Sequence, residues 1–168
     1  FVQNDLCFEV INETKKTVQV KGTQALTTGE PRSIIIPATI VHENVEYKVV
    51  AIGGKFRYNG IHKYWKEDKR RSGGGDWEKR YGDHLVSGLS NTKIQQITIP
   101  NTITSIESCA FRFCEALCFI TIPKSVKKIG DRAFENCLNL NVITIISDDI
   151  TIGENAFAPF PDVTTIRF

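Results

Sequence analysis

The sequence contains no methionine and few tryptophans or histidines, and its formal net charge is only +2 over 168 residues. Nucleic-acid binders carry a clear basic excess, so a charge this small argues against that class of partner. No run of about 18 apolar residues occurs, so no transmembrane helix is predicted. The five cysteines are an odd number without a dense framework, which excludes a small disulfide-stapled domain. The hydrophobic share of 41% is that of an ordinary globular chain.

A repeat of 23 residues runs through the second half of the sequence, where the pattern that begins at Ile94 returns at Leu117, Leu140 and Val163. An Ala-Phe pair recurs in the same phase at 110–111, 133–134 and 156–157. Periods of about 20 to 29 residues with this spacing are typical of leucine-rich repeats, in which stacked repeats share one core. The sequence therefore predicts a leucine-rich-repeat-type solenoid, mainly β with short helical turns and wound as a right-handed superhelix.

Each position of the repeat has a predicted structural role. Side chains alternate along a strand, so Ile97 and Ile99 are expected to point inward and Thr98 outward. Glycines at 130 and 153 are expected to supply turns. The phenylalanines at 111, 134 and 157 are expected to stack as an aromatic spine. The residues that share the inward phases are predicted to form one core: Ile97, Ile99, Ile106, Phe111, Ile120, Ile122, Ile129, Phe134, Ile143, Ile145, Ile152 and Phe157.

The segment ITIPKSVKKIGDRAFENCLNL (120–140) resembles the repeat of the BspA-like leucine-rich proteins. The resemblance implies a bacterial protein, secreted or attached to the cell surface, whose repeats serve recognition or adhesion without catalysis and without a cofactor. The start at Phe1, without a methionine, is compatible with export. Ligands differ widely within such a family, so the resemblance does not identify the partner of this chain. A host-derived ligand is among the possibilities that it leaves open.

Two further regions flank or interrupt the repeat, which is assigned to residues 33–168. Residues 1–32 are predicted to form an N-terminal β-hairpin cap, built from Leu6–Val10 and Thr17–Val20, because a solenoid end exposes core and strand edge. A second hairpin is predicted over Thr39–Val50, turning near Glu43-Asn44. An insertion interrupts the pattern at about 55–84.

The insertion is basic and aromatic. From Arg57 to Arg80 it holds eight Lys or Arg against four Asp or Glu, together with both tryptophans of the protein. Loops on a rigid scaffold often carry function, and Trp, Tyr and Arg are favoured interface anchors. The alternative is a solvated loop with a flexible Gly73-Gly74-Gly75 run, whose aromatics only pack against the repeat. The candidate binding residues of the insertion are Tyr58, Tyr64, Trp65, Arg70, Arg71 and Trp77.

The outward row of the repeated strands is a second candidate surface. The 23-residue phase places Thr98, Thr121, Thr144 and Arg167 in one file and Gln96, Phe119, Val142 and Thr165 in another. Phe119 and Val142 are expected to be neighbours, although single exposed apolar residues are common. The candidate residues on these strands are Ile35, Gln96, Thr98, Phe119, Thr121 and Val142.

No group of residues predicts an enzyme or a metal site. Four cysteines, Cys109, Cys114, Cys118 and Cys137, invite a zinc site. However, Cys114 and Cys137 share a repeat phase with Phe160, and a phenylalanine at that position favours buried apolar packing for both cysteines. A disulfide between Cys114 and Cys137 is conceivable, but two free thiols are the default. The histidines at 42, 62 and 84 lack a paired nucleophile or carboxylate.

Four functions follow in order of preference. The first is a non-catalytic extracellular module that binds a protein. The second is a glycan-binding accessory protein in which Trp65 and Trp77 stack on sugars. A hydrolase with its site in the insertion is less favoured, because the glycine run would not hold a catalytic group rigidly. Nucleic-acid binding by the basic loop is not expected.

Overall fold

The computed structural model describes residues 1–4, 6–23, 32–53, 89, 93–158 and 164–167. These residues form β-strands joined by turns, and none of them lies in a helix. The predicted short helical turns are therefore wrong for the described part. The strands are β1 Val2–Gln3, β2 Leu6–Asn12, β3 Thr17–Thr23, β4 Arg32–Ile35, β5 Thr39–His42, β6 Val45–Ile52, β7 Ile94–Thr98, β8 Ser105–Ile106, β9 Phe119–Ile122, β10 Lys128–Ile129, β11 Val142–Ile145, β12 Thr151–Ile152 and β13 Thr164–Arg167.

The strands fall into two walls. The front face consists of β4 paired with β7, followed by β9, β11 and β13, with parallel pairing within each group. The two groups adjoin, because the Cys118 backbone N–H donates to the Gln95 carbonyl at 3.4 Å. The rear sheet runs in the order β1-β2-β3-β6-β8-β10-β12, with β5 paired to β6. One repeat thus gives one front strand and one rear strand, and we call this unit a rung.

The core fills the space between the walls, and the predicted inward phases are largely confirmed. Ten of the twelve predicted core residues are buried, and the exceptions are Ile152 and Phe157. Ile152 is 40% exposed although it pairs in register with the buried Ile129. The predicted repeat phase of Ile152 is therefore confirmed, but its predicted burial is wrong. The reason is that β12 is the last strand of the rear sheet and no further strand of the described residues covers it.

The aromatic spine is confirmed. The Phe111 and Phe134 rings stack with centroids 4.9 Å apart, and the Phe134 and Phe157 rings follow at 5.2 Å. Leu89 has the backbone position that corresponds to Phe111, one rung earlier. The Leu89 N–H donates to the Ala110 carbonyl, just as the Phe111 N–H donates to the Ala133 carbonyl. The repeat therefore resumes with a leucine in the phenylalanine position, which the sequence pattern did not reveal.

The turns between rear and front strands are held by alternating hydrogen bonds rather than by a helix. In the first of them, the N–H groups of Cys109, Phe111 and Phe113 donate to carbonyls of the next rung. The intervening N–H groups bond within the turn, as Arg112 does to Cys109 at 3.1 Å. Every second group thus ties neighbouring rungs together, and the backbone is satisfied without helical geometry.

A turn begins at Gly130 as predicted, since the Ala133 N–H donates to its carbonyl at 3.3 Å, but glycine is required there for a reason other than positive φ. The φ of Gly130 is not positive; the glycine with positive φ in the described part is Gly53. A Cβ at position 130 would lie 2.7 Å from the carbonyl carbon of Glu107 and 2.8 Å from the Cα of Ser108. Glycine is needed here because the backbone of the preceding rung approaches too closely for a side chain.

Both predicted hairpins are present. Strands β2 and β3 pair antiparallel, and so do β5 and β6 with His42 opposite Val45. The second hairpin turns at Glu43 and Asn44, whose φ angles are 50° and 61°. Positive φ at both central residues is the geometry of a tight two-residue turn that matches the twist of the flanking strands.

Candidate binding surface

The outward residues of the front face form two files across the strands. Ser33 lies opposite Gln96, and Ile35 lies opposite Thr98. On the neighbouring strands Phe119 pairs with Val142 and Thr121 with Thr144, so the expected Phe119–Val142 contact is present.

The far end of both files differs from the prediction. Val142 pairs with Thr164 and Thr144 with Ile166, so the predicted positions of Thr165 and Arg167 are wrong by one residue. Thr164 follows Phe157 by seven positions, whereas Val142 follows Phe134 by eight. The strict 23-residue phase therefore fails at this strand because the last connection is one residue shorter.

The front face is exposed, and the outward side chains that the structure describes on β4, β7, β9 and β11 carry no charge. Ile35 is 75% exposed, Phe119 45% and Val142 41%. Phe119 and Val142 are thus an exposed apolar pair on adjacent strands, with the threonine file beside them. Charge is depleted at the centre of protein interfaces and aromatic residues are enriched there, so this composition is that of an interface centre.

The rear sheet has the opposite character. Lys128 pairs with Glu107 at 3.9 Å, and the Ser105 hydroxyl donates to the same carboxylate at 2.8 Å. Lys127 pairs with Asp149 at 3.7 Å. These groups are compensated within the chain, so removing them from water would cost more than burying the front face.

The insertion candidates Tyr58, Tyr64, Trp65, Arg70, Arg71 and Trp77 all lie outside the described residues, as do His62 and His84. The structure does describe Gly53 and Leu89, which precede and follow residues 54–88. A Cβ on Gly53 would lie 3.1 Å from the Ala110 Cβ, and the Leu89 N–H donates to the Ala110 carbonyl at 2.7 Å. Gly53 and Leu89, the described residues on either side of this segment, thus both lie beside Ala110.

A buried charge cluster that the sequence did not indicate lies in the turns. Arg112 is 1% exposed, and its Nε donates to the Glu135 carboxylate. Arg132 donates to the other oxygen of that carboxylate at 3.4 Å. Arg112 and Glu135 occupy the same repeat phase on neighbouring rungs, so one carboxylate joins two arginines across the stack.

The cysteines are free thiols, and those at 109, 114 and 137 are buried. Burial is the main cause that raises the pKa of the Cys109 thiol. Cys118 is partly exposed and donates to the Ala116 carbonyl at 3.4 Å. Among the described residues no three His, Cys, Asp or Glu side chains are grouped as a metal site would require.

His42 ends β5 and belongs to the N-terminal hairpins. Its ring stacks on Phe1 with centroids 3.9 Å apart, and its Nε2 lies 3.8 Å from the Glu43 carboxylate. These contacts are those of a packed surface side chain. Within the described residues, no helix has the length and apolarity that crossing a membrane requires.

Parallel strands repeated once per rung, with a shared aliphatic and aromatic core, define a leucine-rich repeat protein. Residues 87–168 match the BspA type leucine rich repeat region in six copies. Residues 87–168 therefore carry leucine-rich repeats of the BspA type.

Three solved structures are similar to the chain. A leucine rich cell surface protein from Faecalibacterium prausnitzii is 26% identical, with a TM-score of 0.56 over 94% of this chain and 33% of its own. A leucine-rich repeat protein from Bacteroides ovatus is 20% identical, with a TM-score of 0.52 over 100% of this chain and 41% of its own. A T. pallidum leucine rich repeat protein is 16% identical, with a TM-score of 0.52 over 94% and 65%.

This chain therefore spans between 33% and 65% of the length of these proteins. No curated protein matches the sequence significantly.

Proposed function

We propose that the chain is a non-catalytic binding module, secreted or displayed on a bacterial cell surface, that holds a protein partner on its front face. The observation that carries the proposal is the exposed Phe119–Val142 pair within an uncharged outward row, backed by a rear sheet of compensated ion pairs. An aromatic anchor amid neutral contacts is the usual centre of a protein interface.

Two findings support the location. Residues 87–168 carry leucine-rich repeats of the BspA type, and the similar Faecalibacterium prausnitzii protein is described as a cell surface protein. A rigid stack of rungs also suits this role, because each repeat adds area to one continuous face.

The test is a binding measurement with Phe119→Ala. Proteins from a surface extract that are retained by the immobilised chain are identified by mass spectrometry, and their affinity is then measured one at a time. We expect Phe119→Ala to weaken binding of the true partner by roughly 30-fold, which corresponds to about 2 kcal/mol for an interface anchor.

Val41→Ala is the matched control, because Val41 is 61% exposed but lies on β5 of the rear sheet. Its affinity should equal that of the wild type. Equal losses in the two variants, or no loss in either, would contradict a front-face site.

The insertion contributes the choice of partner in this proposal, on the sequence evidence of its tryptophans and basic residues. Deleting residues 57–80 and bridging with a short Gly-Ser linker should leave the melting temperature nearly unchanged, because the bracketing residues Gly53 and Leu89 both contact Ala110. Affinity should fall and lose most of its dependence on salt. Unfolding of the deletion variant would show that the segment is structural, and unchanged affinity would assign recognition to the front face alone.

A glycan partner is the second candidate. The file of Thr98, Thr121 and Thr144 hydroxyls, with the neighbouring Gln96 amide, offers repeated neutral hydrogen-bonding groups beside the Phe119 ring. Neutral donors beside an aromatic ring suit sugars. Binding to a glycan array by the wild type but not by Phe119→Ala would favour this candidate over a protein.

The stack is proposed to form a right-handed superhelix over residues 33–168, with residues 1–32 as its cap. The support for the cap is the pairing of β3 with β6, which leaves Val18 and Val20 fully buried at the first end of the rear sheet.

A further inference from the structure

Two buried thiols lie on neighbouring rungs at the same repeat phase. Cys114 and Cys137 are both 0% exposed and 23 residues apart. Each thiol points back along the stack: Cys114 Sγ donates to the Leu89 carbonyl and Cys137 Sγ to the Phe111 carbonyl, both at 3.0 Å. The two side chains therefore have the same orientation, one rung apart.

One carbonyl brings the two cysteines together. The Phe111 oxygen accepts the S–H of Cys137 at 3.0 Å and also the backbone N–H of Cys114 at 3.1 Å. The Cys137 sulfur thus lies beside the backbone of Cys114. A hydrogen bond with the Cys114 thiol, together with burial, raises the pKa of the Cys137 thiol far above its ordinary value.

The spacing of the rungs at this place suits a covalent bond. Three residues before the cysteines, the stacked Phe111 and Phe134 rings lie 4.9 Å apart. Backbone hydrogen bonds also join the two rungs here, from the Phe113 N–H to the Glu135 carbonyl at 2.9 Å. Backbones joined in this way lie about 4.7 to 4.9 Å apart, within the range of about 4.4 to 6.8 Å that a disulfide spans between Cα atoms. Cys7, Cys109 and Cys118 share no repeat phase with another cysteine.

We propose that Cys114 and Cys137 are an oxidation site that forms an inter-rung disulfide when the chain folds in the presence of a small disulfide oxidant such as glutathione disulfide. The Cys114 or Cys137 thiolate attacks the oxidant, forming a mixed disulfide and releasing one glutathione. The second thiolate then attacks the mixed disulfide, forms the Cys114–Cys137 bond and releases the second glutathione. The two thiol protons end on the released glutathione thiols, and the pair loses two electrons.

The reaction belongs to folding rather than to the folded state. Thiol–disulfide exchange needs a thiolate and access to the oxidant, and in the folded chain both thiols are fully buried and the pKa of Cys137 is raised. In the unfolded chain the thiols are exposed and have ordinary acidity. Rung formation then brings the correct pair together before the core closes, so the bond records the redox condition in which the protein folded.

The experiment compares two routes to oxidation with the whole chain. In one, reduced and denatured protein is diluted into a glutathione redox buffer; in the other, folded reduced protein is incubated in the same buffer. Each sample is denatured, alkylated with iodoacetamide and mapped by mass spectrometry. The refolded sample should carry a Cys114–Cys137 cross-link and three alkylated cysteines out of five, and the folded sample should react at least tenfold more slowly.

The cross-linked protein should melt about 5 to 10 °C higher than the reduced one, because the bond closes a loop of some two dozen residues in the unfolded state. Cys118→Ser is the control variant and should cross-link as the wild type does, whereas Cys137→Ser should not.

The peptide map of the unaltered chain decides the question even if Cys137→Ser does not fold. Five alkylated cysteines after refolding, or a bond that involves Cys7, Cys109 or Cys118, would overturn the assignment. Equal rates in the two samples would overturn the proposed link to folding.

Discussion

Replacing Phe134 by alanine is expected to lower the free energy of unfolding by about 3 to 5 kcal/mol, the usual loss for a buried aromatic side chain. Phe134 is fully buried and is the central ring of the spine, with Phe111 on one side and Phe157 on the other. The alanine would remove both stacking contacts and leave a cavity that two neighbouring rungs share. Chemical denaturation with urea measures the loss.

Phe157→Ala is the matched control for this prediction. Phe157 has the same repeat phase but is only partly buried and stacks on one side. Its loss should be about half that of Phe134→Ala or less, because less apolar area returns to water. Equal losses in the two variants would contradict a loss set by the buried area of each ring, and an unchanged stability of Phe134→Ala would show that the spine is no core element.

Much of the fold could be predicted because each inward or outward position recurs in several repeats of the sequence. Ile97, Ile120 and Ile143 occupy one phase, so an error at one position would conflict with the others. The hairpin at Glu43-Asn44 was predictable for a local reason, since this polar pair separates two short strand-forming runs.

The predictions that were wrong concern features that the repeat pattern does not determine. Burial of Ile152 depends on whether another strand covers it, which its phase does not encode. The register of β13 depends on a connection one residue shorter than the preceding ones. The role of Gly130 depends on the distance to the neighbouring rung, and no local sequence pattern reveals that distance.

The candidate site was predictable to the same degree. Alternation along a strand predicts that Phe119 and Val142 share the outer side, and the repeat predicts that they are adjacent. The contrast with the charged rear sheet required the structure, because ion pairs such as Lys127–Asp149 join side chains from different rungs.

The largest omission was the buried charge of Arg112. An arginine in a turn is normally read as a solvated side chain, and its neighbours in sequence give no reason to bury it. Its partner Glu135 is one repeat away, in the same phase. A phase that changes from arginine to glutamate is the sequence signal that an inter-rung ion pair leaves.

Glu135→Ala is expected to destabilise the protein by about 3 to 5 kcal/mol, as does the removal of one member of a buried ion pair. The carboxylate faces two arginines, Arg112 through Nε and Arg132 at 3.4 Å. Without the Glu135 carboxylate, two positive charges would face each other. One of them would be buried, because Arg112 is only 1% exposed. Asp149→Ala is the control: it breaks the Lys127 pair, whose carboxylate is 95% exposed, and should cost at most about 0.5 kcal/mol.

A double-mutant cycle separates the ion pair from simple packing. Arg112→Met keeps the volume of the side chain and removes its charge, and Glu135 would still bind Arg132. We therefore expect Arg112→Met to cost less than Glu135→Ala, and the double variant to cost at least about 1 kcal/mol less than the sum of the two. Additive losses would mean that Glu135 acts through its contacts with the turn rather than through the charge of Arg112. A Glu135→Ala variant as stable as the wild type would mean that the buried arginine needs no carboxylate, and the cluster would then have no part in holding the rungs together.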